Sequence, residues 1–97
     1  MLYVILMNFS EQGVRTVKDT VKRAKAFRAM AKKDFKSEVK DLFWTLGAYD
    51  VMALVEAPDE PTVTALALSL AAKGNVKTQT LRAIDEKEMS GILRKIK

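Results

Sequence analysis

The sequence predicts an α+β fold in which strands and helices follow the order βαββαβ, with one further helix at the C-terminal end. Four short runs are rich in β-branched and aliphatic residues, and two longer stretches between them repeat apolar residues every three or four positions. Turn residues separate these runs. A length of 97 residues is typical of one domain, expected to span residues 1–97.

The first predicted element is a strand over residues 2–8. It is too short to cross a membrane, and no basic leader or small-residue cleavage site accompanies it, so we expect a cytoplasmic protein without membrane contact. Both sides of this strand are apolar, a pattern typical of a strand buried on both faces. Leu2, Val4 and Leu6 point to one side, and Tyr3, Ile5 and Met7 point to the other.

A long amphipathic helix is predicted next, from Val14 to Ala31, ending at residues 34–36. A hairpin should follow, with a strand over Glu38–Trp44, a turn at Gly47 and a strand over Tyr49–Ala57. The second of these strands is again apolar on both faces through its middle.

The second half of the chain predicts a helix, a strand and a short terminal helix. Asp59 or Glu60 should cap the helix, Pro61 lies in its first turn, and Gly74 marks its end. The strand should cover residues 76–84, and Asp85 should open the terminal helix over residues 86–96.

This order of elements is the split βαβ, or ferredoxin-like, arrangement. Right-handed crossovers place both long helices on one face of a sheet with strand order 4-1-3-2. The other face would then expose the apolar residues of the two middle strands. We expect a second copy of the chain to cover it, so that two sheets form a shared barrel in a homodimer or larger oligomer. The alternative is that the terminal helix folds over this face.

Several motifs resemble the GYD domain family. They are the turn Trp44-Thr45-Leu46-Gly47-Ala48-Tyr49-Asp50, the segment Glu56-Ala57-Pro58-Asp59 and the segment Thr80-Leu81-Arg82-Ala83. The resemblance covers nearly the whole chain and implies a ferredoxin-like domain of the dimeric α/β-barrel type, without indicating a reaction. The chain departs from the family pattern near Asp34–Ser37, where a glycine-rich turn is usual.

Polar and aromatic residues at the strand ends predict a candidate ligand site. If the strand beginning at Tyr49 runs parallel to the first strand, Asp50 and Arg82 lie at the same end of the sheet, about 10 Å apart between backbones, and Trp44 lies there too. Arg82 would hold an oxyanion, Asp50 or Tyr49 would exchange a proton, and Trp44 would form an apolar wall. In the alternative, Asp50 caps the turn or pairs with Arg82, and the aromatic residues fill the core.

Glu56 is expected at the opposite end of the sheet, near Asn8 and Asn75, either orienting a ligand or bonding the following turn. Asp50 and Glu56 are six residues apart in the sequence, about 20 Å along a strand, so no metal site is expected. The chain has no cysteine, no histidine, no phosphate-binding glycine motif and no catalytic triad, so no cofactor is expected either.

Three functions remain open from the sequence. The first is an oligomeric module that binds a partner or a small anionic or aromatic ligand without catalysis. The second is a cofactor-free oxygenase or isomerase acting on a small aromatic or carbonyl substrate, by analogy with other barrels of this fold. The third is a nucleic-acid binder, because residues 15–36 hold nine Lys/Arg and the net charge is +5. The aromatic RNA-binding motif of this fold is missing, which argues against the third function.

Overall fold

The computed structural model describes residues 1–97 and confirms the predicted order of elements. The long helical segment is divided in two by a 3₁₀ turn, and the terminal helix stops three residues early. The elements are β1 (Leu2–Phe9), α1 (Glu11–Arg15), the 3₁₀ turn (Val17–Asp19), α2 (Thr20–Phe35), β2 (Glu38–Trp44), β3 (Val51–Glu56), α3 (Glu60–Ala71), β4 (Val76–Ala83) and α4 (Glu86–Leu93).

Arg23 explains why the predicted long helix breaks after α1. Its guanidinium donates to the Thr16 carbonyl at 2.8 Å, to the Thr16 hydroxyl at 2.9 Å and to the Gly13 carbonyl at 3.1 Å. These contacts satisfy carbonyl groups that the end of a helix leaves without partners. The guanidinium therefore stabilises the junction between α1 and α2.

Side chains cap the start of α3 and α4 as the sequence predicts. Asp59 accepts a hydrogen bond from the backbone N–H of Thr62 at 2.9 Å, and Asp85 accepts one from that of Glu88 at 2.8 Å. Each bond satisfies one of the free N–H groups of a first helical turn. At the end of α2, Lys36 adopts a left-handed conformation with φ of 48°.

The four strands form one sheet in the order β2-β3-β1-β4, as predicted. Every neighbouring pair is antiparallel, including β1 and β3. The expectation that β3 runs parallel to β1 was therefore wrong. The α2 crossover makes β2 parallel to β1, and the hairpin at Gly47 reverses the chain once more, so β3 has to run antiparallel to β1.

The helices α2 and α3 cover one face of the sheet, and the core lies between them and the sheet. Each large aliphatic side chain that is fully buried here contributes about 2 kcal/mol of transfer free energy. Both middle strands contribute alternate residues to this layer. The buried residues include Tyr3, Ile5 and Met7 of β1, Val51, Ala53 and Val55 of β3, Phe27 and Ala31 of α2, and Val63 and Leu66 of α3.

The opposite side of the sheet, here called the open sheet face, carries a continuous set of apolar residues. Leu6 lies opposite Met52 and Val4 lies opposite Leu54 on the two middle strands, and all four are partly exposed. Phe43 of β2 and Leu81 of β4 extend the set, with 53% and 42% of their surfaces exposed. No helix of the chain shields these residues.

The terminal helix α4 does not fold over the open sheet face. It makes no extensive contact with any other helix or strand, and its apolar residues Met89, Ile92 and Leu93 remain exposed. The alternative in which α4 covers the sheet is therefore wrong for the single chain. None of the helices has the length and apolar composition that a membrane crossing requires.

Candidate functional site

The turn between β2 and β3 is closed by hydrogen bonds at its base. The N–H of Thr45 donates to the Asp50 carbonyl at 2.9 Å, and the Thr45 hydroxyl donates to the Tyr49 carbonyl at 2.6 Å. Gly47 has φ of 117°, a conformation that other residues rarely adopt, and Leu46 at the tip is fully exposed. The turn therefore holds Tyr49 and Asp50 at the end of the sheet.

Asp50 binds the backbone of β1. Its backbone N–H donates to the Met7 carbonyl at 2.9 Å, and its carboxylate accepts a hydrogen bond from the N–H of Phe9, also at 2.9 Å. The hydrogen bond from the Phe9 N–H to this side chain continues the ladder between β1 and β3 beyond the last paired residues. This geometry matches the structural alternative in which Asp50 holds the turn.

Tyr49 reaches across the open sheet face. Its hydroxyl is 2.7 Å from Oε1 of Gln79, which lies opposite Leu6 in the pairing of β1 with β4. The phenol thus spans β1 on the side away from the helices. The strand expected over Tyr49–Ala57 begins at Val51, so Tyr49 lies in the turn before β3 and outside its alternation.

Arg82 lies at the other end of the sheet from Asp50. It pairs with Tyr3, whereas Asp50 follows the Met7–Val51 pair, an offset of about 17 Å along the strands. The expected grouping of Asp50 with Arg82 was therefore wrong, and the cause is the direction of β3. The guanidinium binds the Glu88 carboxylate at 2.6 Å and lies 5.7 Å from the centre of the Tyr3 ring.

Tyr3 is buried beneath this guanidinium. Burial raises the pKa of its phenol above the ordinary value of 10.0, with a further increase from the Glu60 carboxylate and a smaller opposing effect of Arg82. The neutral form of the phenol is therefore favoured, and its hydroxyl donates to the Met1 sulfur at 3.8 Å.

Glu56 also lies at the Arg82 end, opposite Leu2, and not near Asn8 and Asn75 as expected. The antiparallel direction of β3 again explains the difference. The amino group of Met1 forms an ion pair with Oε2 of Glu56 at 2.8 Å, and the same amino group donates a hydrogen bond to the Ala57 carbonyl at 2.9 Å. No group of three or more potential metal ligands occurs in the structure.

Trp44 remains beside the turn, on the helix side of the sheet. Its indole N–H donates to the Thr20 hydroxyl at 2.9 Å, and 44% of its surface is exposed. Trp44 lines a crevice of about 70 Å³ between α2 and the sheet. Most of the lining is apolar, with Phe9, Phe27 and Leu42 among its walls, and two cationic residues, Arg23 and Lys73, also contribute.

Sequence reasoning missed both cations of this crevice. Arg23 is one of nine basic residues in a single helical segment, and Lys73 stands in the loop after α3, so nothing in the pattern distinguishes either residue. Of the five residues expected to bind a ligand, only Trp44 lines the crevice; Tyr49, Asp50, Glu56 and Arg82 lie elsewhere. No aspartate or glutamate lines it, so it offers no carboxylate for proton transfer.

Comparison with known proteins identifies the family. The sequence model of the family described as GYD domain matches residues 3–93. The chain therefore belongs to the GYD domain family, as its motifs predict. The chain is 35% identical over 82 residues to the "glutamine synthetase and cystathionine beta-lyase binding protein" of Thermus thermophilus. This alignment covers 84% of the present chain and 86% of that relative.

A solved structure shares the fold. The crystal structure of MtbAldR superposes with a TM-score of 0.66 over 88% of this chain, at 17% sequence identity. The match covers 53% of that protein, so the present chain spans about half the length of MtbAldR. The similarity confirms the ferredoxin-like α+β architecture.

Proposed function

We propose that this member of the GYD domain family is a self-associating module that binds protein partners and catalyses no reaction. The observation that carries the proposal is the open sheet face, where Val4, Leu6, Met52 and Leu54 are apolar and have no helix to cover them. A contiguous apolar surface of this kind is typical of an interaction site. A second copy of the chain is the partner that the face fits best.

The open sheet face can supply most of the area of a dimer interface. Strand spacing and rise per residue give it a projected area of about 400 Å² on each copy, or about 800 Å² for two copies in contact. A specific interface requires about 1,000 Å² in total over both copies. Side chains that project from the sheet add accessible area beyond this projection.

The residues that line the crevice beside Trp44 favour a binding function over the alternative function of a cofactor-free oxygenase or isomerase. That alternative needs a desolvated acid or base next to the substrate. The crevice has no carboxylate, and Asp50 donates and accepts hydrogen bonds only with the backbone of β1 and the turn. Of the polar groups expected to act on a substrate, Asp50 and Arg82 are held by structural bonds at opposite ends of the sheet, and the Tyr49 hydroxyl donates to Gln79.

Two observations support the proposal that this chain binds protein partners: the name of the Thermus relative and the basic face of α2. The name describes that relative as a binding protein for two enzymes. In the present chain the lysines of α2 and of the preceding turn are exposed and form no ion pair, so they suit an acidic surface on a partner. These residues are Lys18, Lys22, Lys25, Lys32 and Lys33.

The test measures binding to purified glutamine synthetase and cystathionine beta-lyase from the organism that encodes this chain, by biolayer interferometry at low and high salt. We expect saturable, salt-sensitive binding to at least one of them. The double variant Lys22→Glu/Lys25→Glu should weaken it, and Lys87→Glu/Lys95→Glu, with the same charge change near α4, should not. Binding to neither enzyme, together with tight binding to DNA or RNA, would favour the nucleic-acid alternative.

A further inference from the structure

We propose that the crevice between α2 and the sheet binds a small branched-chain carboxylate with four or five carbon atoms. The aliphatic tail would enter the crevice, and the carboxylate would remain at its mouth beside Lys73. This site lies on the helix side of the sheet, away from the open sheet face, so it does not depend on self-association.

The walls of the crevice select an apolar tail. Ten of the fourteen lining residues are hydrophobic, and the aromatic rings of Phe9, Phe27 and Trp44 come from three different elements. A cavity with mostly apolar walls offers few of the polar partners that ordered water needs, so hydrocarbon displaces water from it easily. A polar or sugar-like ligand would find few hydrogen-bond partners there.

The volume limits the size of the tail. The crevice holds about 70 Å³, about half the volume of an apolar cavity of about 150 Å³ that takes up benzene. A benzene ring is therefore too large, and drug-sized ligands occupy pockets of about 300 Å³ or more. A branched tail of three or four carbons has the width to touch both walls and the length to remain within them.

The charges at the crevice select an anionic head group. Lys73 and Arg23 line it, no aspartate or glutamate does, and neither cation forms an ion pair. Arg23 directs its guanidinium at the carbonyls of Gly13 and Thr16, which are neutral acceptors. Lys73 is exposed, and its ammonium group has no hydrogen-bond partner in the chain.

A carboxylate suits this arrangement better than a phosphate group. Phosphate recognition usually engages several donors at once, including the fork of an arginine. Here the arginine fork is occupied by backbone carbonyls, and one lysine ammonium remains, which acts as a point charge. A single negative charge on the ligand matches that single free cation.

The experiment uses the fluorescence of Trp44, the one tryptophan of the chain. The probe is isovalerate, titrated at fixed ionic strength, and 3-methylbutan-1-ol and acetate serve as ligands that lack the charge and the tail. We expect a saturable change in emission for isovalerate with a dissociation constant of about 1 mM, as its size suggests. Both comparison ligands should bind at least about tenfold more weakly, since each loses one of the two contacts.

Two pairs of variants test the site itself. Lys73→Gln should weaken isovalerate binding several-fold and leave the alcohol unchanged, whereas Lys77→Gln on β4 should change neither. Ala24→Leu should fill the crevice and abolish binding. Ala29→Leu makes the same change at an exposed position of the same helix, outside the lining, and should not abolish it. If Ala24→Leu fails to fold, the lysine pair still decides.

An absence of saturation with isovalerate, an equal response to acetate, or equal effects of the two lysine variants would each overturn the proposal. A failure of enzyme binding with isovalerate binding intact would instead count against the proposed function alone.

Discussion

The Asp50 carboxylate accepts a hydrogen bond from the backbone N–H of Phe9 at 2.9 Å, and this bond joins the β2–β3 turn to the end of β1. Asp50→Ala would leave that N–H without its partner and should cost about 1–3 kcal/mol of the free energy of unfolding. Asp50→Asn keeps an acceptor oxygen and should cost less. Urea denaturation at one fixed protein concentration measures both variants.

Asp41→Asn serves as the control for Asp50, because Asp41 is exposed and forms no hydrogen bond or ion pair. If Asp50→Ala leaves stability unchanged while it alters binding of a partner or ligand, Asp50 belongs to a binding site and the structural role assigned here is wrong.

Gly13 of α1 packs against the backbone of Asn75 in the loop before β4. A Cβ atom at this position would lie 2.0 Å from the Asn75 carbonyl oxygen, a backbone atom, whereas one at Gly91 in α4 would meet nothing within 4 Å. Gly13→Ala should therefore destabilise the protein by about 1–3 kcal/mol. Gly91→Ala should be neutral or stabilise α4 by up to about 1 kcal/mol. Thermal unfolding of the two variants side by side gives the comparison, and equal melting temperatures would contradict it.

Lys36 occupies the left-handed position at the end of α2, with φ of 48°. A residue with a Cβ atom pays about 1–2 kcal/mol in this conformation, and glycine does not. Lys36→Gly should therefore raise the free energy of unfolding by about 1 kcal/mol or slightly less, after the loss of chain entropy is included. Lys33→Gly, inside the same helix, should lower it. A decrease for Lys36→Gly in urea denaturation would mean that the lysine side chain makes a stabilising contact that the structure does not show.

Asp59 gives the protein a predictable sensitivity to acid. Hydrogen bonding from Thr62, through its side chain first and its backbone N–H second, holds the pKa of the Asp59 carboxyl below the ordinary value of 3.8. Because the folded pKa is the lower one, the stabilisation is fully present above pH 3.8 and is lost as the pH falls through the folded value. Asp59→Asn retains a capping oxygen that does not titrate.

The stability difference between wild type and Asp59→Asn should therefore be largest near neutral pH and should shrink below pH 3.8. Denaturant titrations across this range measure the difference. A difference that stays constant with pH would show that the cap does not depend on the charge of Asp59.

The order of elements and most helix and strand boundaries could be predicted from the sequence, because periodicity and caps such as Asp59 and Asp85 are local signals. The register of β2 against β3 could not be predicted. A bulge lies between Val39 and Asp41, so Val39 and Leu42 share the helix side of the sheet although strict alternation would separate them.

The expected grouping of the site residues was wrong for a different reason. Its residues were grouped by an incorrect direction of β3, and one reversed strand moved Asp50 and Arg82 to opposite ends of the sheet. The crevice beside Trp44 could not be predicted, because its volume depends on how α2 packs on the sheet, and no local pattern encodes that distance.

Self-association through the open sheet face is tested most directly by sedimentation equilibrium of the wild type, Leu6→Glu and Leu68→Glu. Leu6 lies within the open sheet face, whereas Leu68 is 65% exposed on α3, outside it. The wild type and Leu68→Glu should sediment at twice the chain mass of 10.9 kDa or a higher multiple, and Leu6→Glu should sediment at the mass of one chain. A wild type that remains at 10.9 kDa at high concentration, or a Leu6→Glu variant that assembles like the wild type, would contradict the account.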